Sequence, residues 1–287
     1  MKTILNLIFA FFFHIMIKRL SAITLISFTI ACNNNTTEST TTETTESVPN
    51  VPVLKYTVVN QFPHDTTAFT EGFLFHDGKL YESTGHTDEI PSSKSLFGIV
   101  DLKTGKIDPK IHLDDKKYFG EGITFLDGKV FQMTLENPKV CFVYDAKTFK
   151  PITQYELNSP GWGMTTDGTY LIRSDGSSNL SYYDPKDFKL IKILGVSDNN
   201  GPMGMINELE YIDGFIYANV YQTSYIVKID PASGKVVARA DFTTLHDQQK
   251  LKYPDIDYLN GIAYDSTTKK VLITGKLWPN IFEIKFQ

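Results

Sequence analysis

Apolar and polar positions alternate along most of the chain, in short runs interrupted by polar turns. Tyr118–Gln132 reads YFGEGITFLDGKVFQ, two alternating runs about the turn Leu126-Asp127-Gly128-Lys129. A period of two marks half-buried strands, and Asp-Gly supplies the positive φ angles of a tight hairpin. Glu71–Tyr81, EGFLFHDGKLY, is nearly the same string. Trp162–Gly168, Asn207–Gly214 and Asn260–Asp265 repeat the figure, the last with a longer turn before Val271. Recurrence at roughly 40 to 55 residues is the signature of a propeller or another repeat array.

A second unit follows each hairpin. SLFGIVDLKTG (Ser95–Gly105), KVCFVYDAKT (Lys139–Thr148), NLSYYDPKD (Asn179–Asp187) and YIVKIDPASG (Tyr225–Gly234) each run an alternating strand into an Asp turn, then into a further strand. Four short antiparallel strands per repeat make one propeller blade. The fifth unit has only Asn280–Gln287 after its hairpin, while Leu54–Phe62 precedes the first hairpin without a partner. Pairing these two segments closes the ring and is expected to remove open sheet edges. The predicted fold is all-β, a five-bladed β-propeller closed by an N-terminal strand on the last blade; an open β-sandwich is the alternative. No long helix is predicted, and Thr243–Leu251 reads as a short turn or loop.

The N-terminal region breaks the pattern. Ile4–Phe13 and Leu20–Ala31 are apolar runs flanking Lys18-Arg19, which gives residues 1–31 the form of a secretory signal, with Met16 as an alternative start. The second run, about twelve residues, is short for a membrane-anchoring helix. Thr29-Ile30-Ala31-Cys32 resembles a bacterial lipoprotein processing site, so Cys32 is the expected point of lipid attachment, with an ordinary cleaved signal as the alternative. Asn33–Asn50 is nearly all Asn, Thr, Ser and Glu, and residues 32–52 read as a disordered polar tether. The propeller is expected over 53–287, and the protein is expected to be an exported, periplasmic or cell-surface lipoprotein.

Composition removes several function classes. The formal charge of −5 offers no electrostatic case for nucleic acid. The histidines show no HxxxH or HExxH spacing, and no GxSxG elbow, P-loop or GxGxxG turn is present, so catalytic zinc, serine chemistry and nucleotide binding lose weight. With Cys32 modified, Cys141 is the remaining thiol; it lies in an apolar run and is expected to be buried and inert. No cofactor and no metal ligand set is expected, although the channel leaves room for a structural ion. A monomer is expected.

The repeated first strands open at Glu71, Glu121, Trp162, Asn207 and Asn260. If these strands are innermost, their first residues ring one mouth of the channel, where Thr274-Gly275-Lys276-Leu277-Trp278-Pro279 adds a lysine. Carboxylates, amides, a lysine and aromatics in one ring suit a small-molecule site.

Several further strings carry a resemblance: Phe62-Pro63-His64-Asp65 with Ala68-Phe69-Thr70-Glu71-Gly72, Tyr118-Phe119-Gly120-Glu121-Gly122, Gly161-Trp162-Gly163, Ser174-Asp175-Gly176-Ser177, Asn207–Tyr211, Asn219–Thr223 and Leu259–Ala263 with Thr274–Pro279. Together, in this order from Tyr56 to the C-terminus, they resemble the plant and bacterial type of glutaminyl-peptide cyclotransferase. The resemblance implies a five-bladed propeller that converts N-terminal glutamine of peptides or proteins to pyroglutamate and releases ammonia, unrelated to zinc-dependent animal enzymes. It places the site on Phe69, Phe119, Glu121, Trp162, Asn207, Gln222 and Lys276. Glu71 stands where the plant enzyme has glutamine, and Leu135 and Tyr221 where it has tryptophan, which implies weaker substrate binding. A loop insertion around His86–Lys94 follows the first hairpin.

The chemistry needs few groups, because the peptide's α-amine attacks its own γ-amide carbonyl and the nucleophile comes with the substrate. The protein must hold ring geometry and move a proton. Glu121 is the expected acid–base residue and Lys276 the expected catalytic partner. Lys276, Asn207 or Gln222 would stabilise the oxyanion. Phe69, Phe119 and Trp162 would wall the alkyl chain, with Glu71, Tyr221 and Asn260 completing the substrate site. Two other readings stand beside this one: a non-catalytic cell-surface propeller that binds peptides or glycans, and a metal-dependent propeller hydrolase or lactonase.

Overall fold

The computed structural model describes residues 50–136 and 138–287. Cys32, the leader and most of the tether lie outside the described residues. The body is five four-stranded antiparallel sheets. The first blade is Phe69–His76, Lys79–Gly85, Leu96–Val100 and Ile107–His112. The second is Gly120–Leu126, Lys129–Thr134, Val140–Asp145 and Pro151–Glu156. The third is Met164–Thr166, Leu171–Arg173, Asn179–Tyr183 and Leu190–Gly195. The fourth is Ile206–Ile212, Phe215–Val220, Tyr225–Ile229 and Val236–Asp241. The fifth is Leu259–Asp265, Lys270–Gly275, Asn280–Phe286 and, outermost, Tyr56–Pro63.

Local chemistry accounts for the turns. Asp77-Gly78, Asp127-Gly128 and Asp213-Gly214 all have φ between 45° and 89°, the paired left-handed conformation of a type I′ hairpin turn. In the Asp turns, the carboxylates of Asp101, Asp145, Asp184 and Asp230 each accept the backbone N–H two residues on, at 2.9, 3.2, 2.8 and 3.0 Å. These side chains close the turn themselves, which is why the same string recurs.

The first strands of the blades lie against one another in cyclic order and line the channel. Packing between blades forms five apolar clusters, one in each seam. Phe97, Ile123 and Val130 join the first and second blades; Phe73, Leu272 and Ile281 join the first and fifth. Cys141 belongs to the second–third seam, fully buried, where loss of solvent pushes its thiol far above the ordinary range.

Closure occurs as expected, with small differences. Tyr56 pairs with Phe286 and Pro63 with Asn280, so the strand runs two residues later at its start and one at its end than Leu54–Phe62. Ahead of it, Leu54 N donates to Arg239 O at 2.9 Å and Arg239 N to Pro52 O at 2.9 Å, so this segment follows the outer strand of the fourth blade. Closure does not remove the sheet edges. The closing strand is itself an outer strand, with Val58 and Val59 45% and 59% exposed. A propeller leaves one short edge on each blade, and ring closure joins the blades without covering those edges.

The one described helix corrects the reading of Thr243–Leu251 as turn or loop: Thr243–Lys252 is α-helical over ten residues. Only Leu245 and Gln249 face inward, too thin a stripe to give a periodic signal. Leu245 docks beside Phe242 and Trp278 in the fourth–fifth seam, and this tertiary contact sustains the helix.

Candidate active site

Four of the expected residues share one backbone device. Pairing between the first and second strands shifts register between Thr70 and Gly72, Gly120 and Ile123, Ile206 and Leu209, and Leu259 and Ile262. Glu71, Glu121, Asn207 and Asn260 each lie in such a bulge. A bulge lifts its residue out of the alternating pattern and re-aims the side chain. Their relative exposures are only 2%, 3%, 3% and 1%, so these polar groups are buried.

Amide groups on the innermost strands, at and beside the bulges, find partners on neighbouring blades. Gly122 N donates to Trp162 O at 2.8 Å. Gly261 N donates to Asn219 Oδ1 at 3.0 Å, Phe73 N to Glu208 Oε1 at 3.1 Å and Ile262 N to Glu208 Oε2 at 2.9 Å. Glu208 thus ties the first, fourth and fifth blades together. Burial, Glu210 and Glu71 push its carboxyl well above the ordinary range, against the pull of the two amides. Gly122 must be glycine, because a Cβ there would lie 2.6 Å from Trp162 O and Met164 N.

Lys276 follows the second strand of the fifth blade in a tight turn, its neighbour Leu277 held at φ 62°. Its ammonium donates to Glu71 Oε1, and Asn260 Nδ2 donates to Glu71 Oε2 at 3.2 Å. Lys276 Nζ lies 4.5 Å from the ring centre of Phe69 and 5.6 Å from that of Tyr221, attracted to both aromatic faces. Around this pair the aromatics form a wall. Phe69 meets Phe119 edge-on at 5.9 Å, and Tyr221 meets both Trp162 and Tyr258 edge-on at 5.4 Å.

Glu121 differs from Glu71 in lacking an ion-pair partner. Its main-chain carbonyl accepts the Ser83 hydroxyl at 2.6 Å, which fixes the bulge, while its side-chain Oε2 is buried without a hydrogen bond. Burial, reinforced by the nearby Glu71 and opposed by Lys276, pushes its carboxyl well above the ordinary range. Burial also raises Glu71, with Lys276 opposing and Asp257 assisting, up to about 7. The two carboxyls are therefore set apart by their partners: Glu71 meets a cation, while Glu121 is buried with an unpartnered oxygen and its acidity is suppressed. Asn207 Oδ1 and Asn260 Oδ1 are likewise buried and unpartnered.

Of the expected set, contacts join Phe69, Glu71, Phe119, Trp162, Tyr221, Asn260 and Lys276, and Glu121 lies near enough to Glu71 and Lys276 to feel both charges; Asn207 occupies the matching bulge of the fourth blade. Gln222 follows Tyr221 in the next turn, exposed and with φ 63°. Sequence reasoning passed over Tyr258 and Asp257, which exchange two main-chain hydrogen bonds with Lys276, each 3.0 Å. It also passed over Ser83, Gln132 and Asn219, all fully buried on second strands. The available signal was a polar residue inside an apolar strand, as in VFQMT and IYANV. Among the described residues, no three His, Cys, Asp or Glu side chains come together as a metal site.

The fold and this site define a five-bladed propeller carrying buried carboxyls, amides and a lysine beside aromatic rings. The sequence pattern of the family described as glutamine cyclotransferase matches residues 28–286. A glutaminyl-peptide cyclotransferase of Arabidopsis thaliana is 38% identical over 234 residues, covering 80% of this chain and 71% of that protein. The crystal structure of Myxococcus xanthus glutaminyl cyclase superposes with a TM-score of 0.73 at 30% identity, covering 82% of this chain and 98% of that one. This chain belongs to the glutamine cyclotransferase family.

Proposed function

We propose that this protein is a glutaminyl-peptide cyclotransferase, an acyltransferase acting within one molecule, which closes N-terminal glutamine of peptides or proteins to pyroglutamate with release of ammonia. The observation that carries the reading is Glu121: a buried carboxyl with an unpartnered oxygen, its acidity suppressed by burial and by the nearby Glu71, in a site beside aromatic rings. The α-amine, in its neutral form, attacks the γ-carbonyl. Protonated Glu121 gives its proton to the amide nitrogen, which leaves as ammonia. The resulting carboxylate takes the surplus proton from the new ring nitrogen, which regenerates the acid. One proton moves from the attacking to the departing nitrogen and the balance closes. This order, donation before acceptance, reverses the naive expectation for a glutamate, because burial disfavours the charged form.

Lys276, with Asn207, stabilises negative charge on the carbonyl oxygen. Glu71 holds the lysine in place, and Phe69, Phe119 and Trp162 exclude water and confine the side chain to ring-closing conformers. The protein carries this out without a catalytic metal. We further propose that it acts as a monomer, exported and anchored to a bilayer through lipid on Cys32; the Thr29-Ile30-Ala31-Cys32 string and the polar stretch after it support this. The test of the activity is incubation of residues 51–287 with a Gln-initiated dipeptide, with EDTA present, while ammonia is measured. Stoichiometric ammonia and pyroglutamyl peptide are expected; neither appearing would overturn the reading.

A further inference from the structure

His64 belongs to the Phe62-Pro63-His64-Asp65 string, which the proposed reaction leaves unused. It stands where the closing strand ends and the chain turns toward the first blade. Its main-chain N donates to Pro279 O at 2.9 Å, and its side chain is fully buried. Both ring nitrogens are engaged. Nδ1 lies 2.7 Å from Trp278 O, and Nε2 lies 3.0 and 3.1 Å from the two oxygens of Glu82. A carbonyl only accepts, so Nδ1 carries a hydrogen. The Thr274 hydroxyl, 3.2 Å from Nδ1, donates to Asn280 O at 3.1 Å and faces the ring with its oxygen, consistent with the same assignment. Nε2 meets both oxygens of a carboxyl that also receives the Thr70 hydroxyl at 2.7 Å. Two donors converging on one buried carboxyl match a carboxylate facing an imidazolium.

Burial works against a charged ring, but the Glu82 charge and hydrogen bond, the Trp278 carbonyl and Asp65 together outweigh it and raise the imidazole above its ordinary range. Lys276 is engaged by Glu71, so His64 is the cation left to neutralise Glu82 among the described neighbours.

The pair touches both halves of the proposed site from behind. Through Glu82 it holds Thr70, which precedes Glu71 in its bulge and whose carbonyl accepts Asn260 Nδ2 at 2.9 Å. Through Trp278 and Pro279 it holds the turn that begins at Lys276. We propose that the His64–Glu82 ion pair is a positioning device for the reaction: it sets the Thr70–Glu71 bulge of the first blade against the Lys276–Pro279 turn of the fifth, so that Glu71 and Lys276 meet at the mouth. This rests on the cyclotransferase reading given above.

The experiment compares wild type with His64→Gln, Glu82→Gln, the double variant and Thr70→Val. It measures kcat and KM on a Gln-initiated dipeptide at a temperature well below every Tm, and records NMR of the ring nitrogens. The expected result is a doubly protonated His64 at pH 7. Thr70→Val removes only the hydroxyl that links the pair to the bulge. It should lower kcat about tenfold with KM changed less than threefold and the Lys276 amide resonance displaced. His64→Gln should lose kcat more heavily, and the double variant, in which two amides rebuild a neutral hydrogen bond, should recover part of it. A neutral ring at pH 7, or an unchanged kcat in Thr70→Val, would overturn the proposal even if the histidine variants fail to fold. If wild type itself releases no ammonia, the reading of the reaction has failed. The ring-nitrogen signal and the Lys276 resonance then decide the positioning role by themselves.

Discussion

Glu121 and Lys276 are opposite cases of a buried charge-bearing group. Glu121 has no cation of its own, and its acidity is suppressed by burial. Glu121→Gln keeps the shape but cannot give or take the proton, so kcat should fall roughly a hundredfold or more, read as ammonia release. Its Tm should hold, because the amide needs no more stabilisation than the neutral acid it replaces. Lys276→Met should act on both activity and stability. It removes the donor to the carbonyl oxygen and leaves Glu71, 2% exposed, without its counter-charge. Breaking one side of a buried pair costs about 3–5 kcal/mol. The double variant Lys276→Met with Glu71→Gln should regain most of the lost Tm and none of the kcat, measured by thermal melt and ammonia assay. A Tm that stays low in the double variant would show that the pair is not what the lysine stabilises.

At the scale of elements, the bulged first strands make the site and the closing strand holds the ring. The closing strand contributes its ladder to Asn280–Phe286 and the stacking of Tyr56 on Phe242, ring centres 4.0 Å apart. Removing residues 1–62 uncovers one edge of the fifth blade and opens the fourth–fifth seam. Removing residues 1–50 spares all these contacts. The longer truncation should lower Tm by about 10 °C or more, a loss of several kcal/mol for a body of this size, while the shorter leaves it unchanged. Equal melting of the two would mean that the ring is closed by other means. The insertion after the first hairpin is an element of the same kind. Thr87 pairs with Ile90, and the Ser93 hydroxyl accepts Thr87 N at 2.9 Å while donating to Ile90 O at 2.7 Å, so the loop is braced by its own side chains.

Across the whole molecule, buried acids decide how stability varies with pH. Glu71 and Glu210 are raised from an ordinary 4.5 to about 7 and about 8. Between those limits the folded state holds protons that the unfolded chain has released. Their contribution is therefore full below about pH 4.5 and is lost as pH rises through 7 and 8. His64, also raised, acts in the same direction: its contribution is complete below 6.5 and fades above. The Asp turns oppose this only in acid, since Asp101, Asp145 and Asp230 are lowered from 3.8 by their turn hydrogen bonds. Tm should be greatest near pH 4–5, between the two windows, and fall by about 5 °C or more by pH 9. A Tm that climbs toward pH 9 would contradict the burial of these acids. The proposed anchor is also a property of the whole chain. Cys32→Ser should move the protein from the membrane to the soluble fraction, and persistent membrane association would place the anchor in the apolar runs instead.

The alternation of apolar and polar residues, the Asp-Gly turns and the self-capping Asp turns are local rules, and they determined the repeat, the blade count and the closing strand. The polar first residues of the innermost strands were legible for the same reason, because polar side chains at the head of apolar strands need a purpose. The helix at Thr243–Lys252 was not legible, because a single docked leucine sustains it. Only the tertiary structure decided which polar residues meet. Glu71 and Lys276 are 205 residues apart, and His64 and Trp278 are 214 apart. The first contact exists because the ring brings the first and fifth blades together, the second because the closing strand pairs on the fifth blade. The difference between the two glutamates was likewise invisible in the chain. Glu71 and Glu121 begin nearly identical strings, yet one meets the lysine that the ring delivers and the other is buried with an unpartnered oxygen.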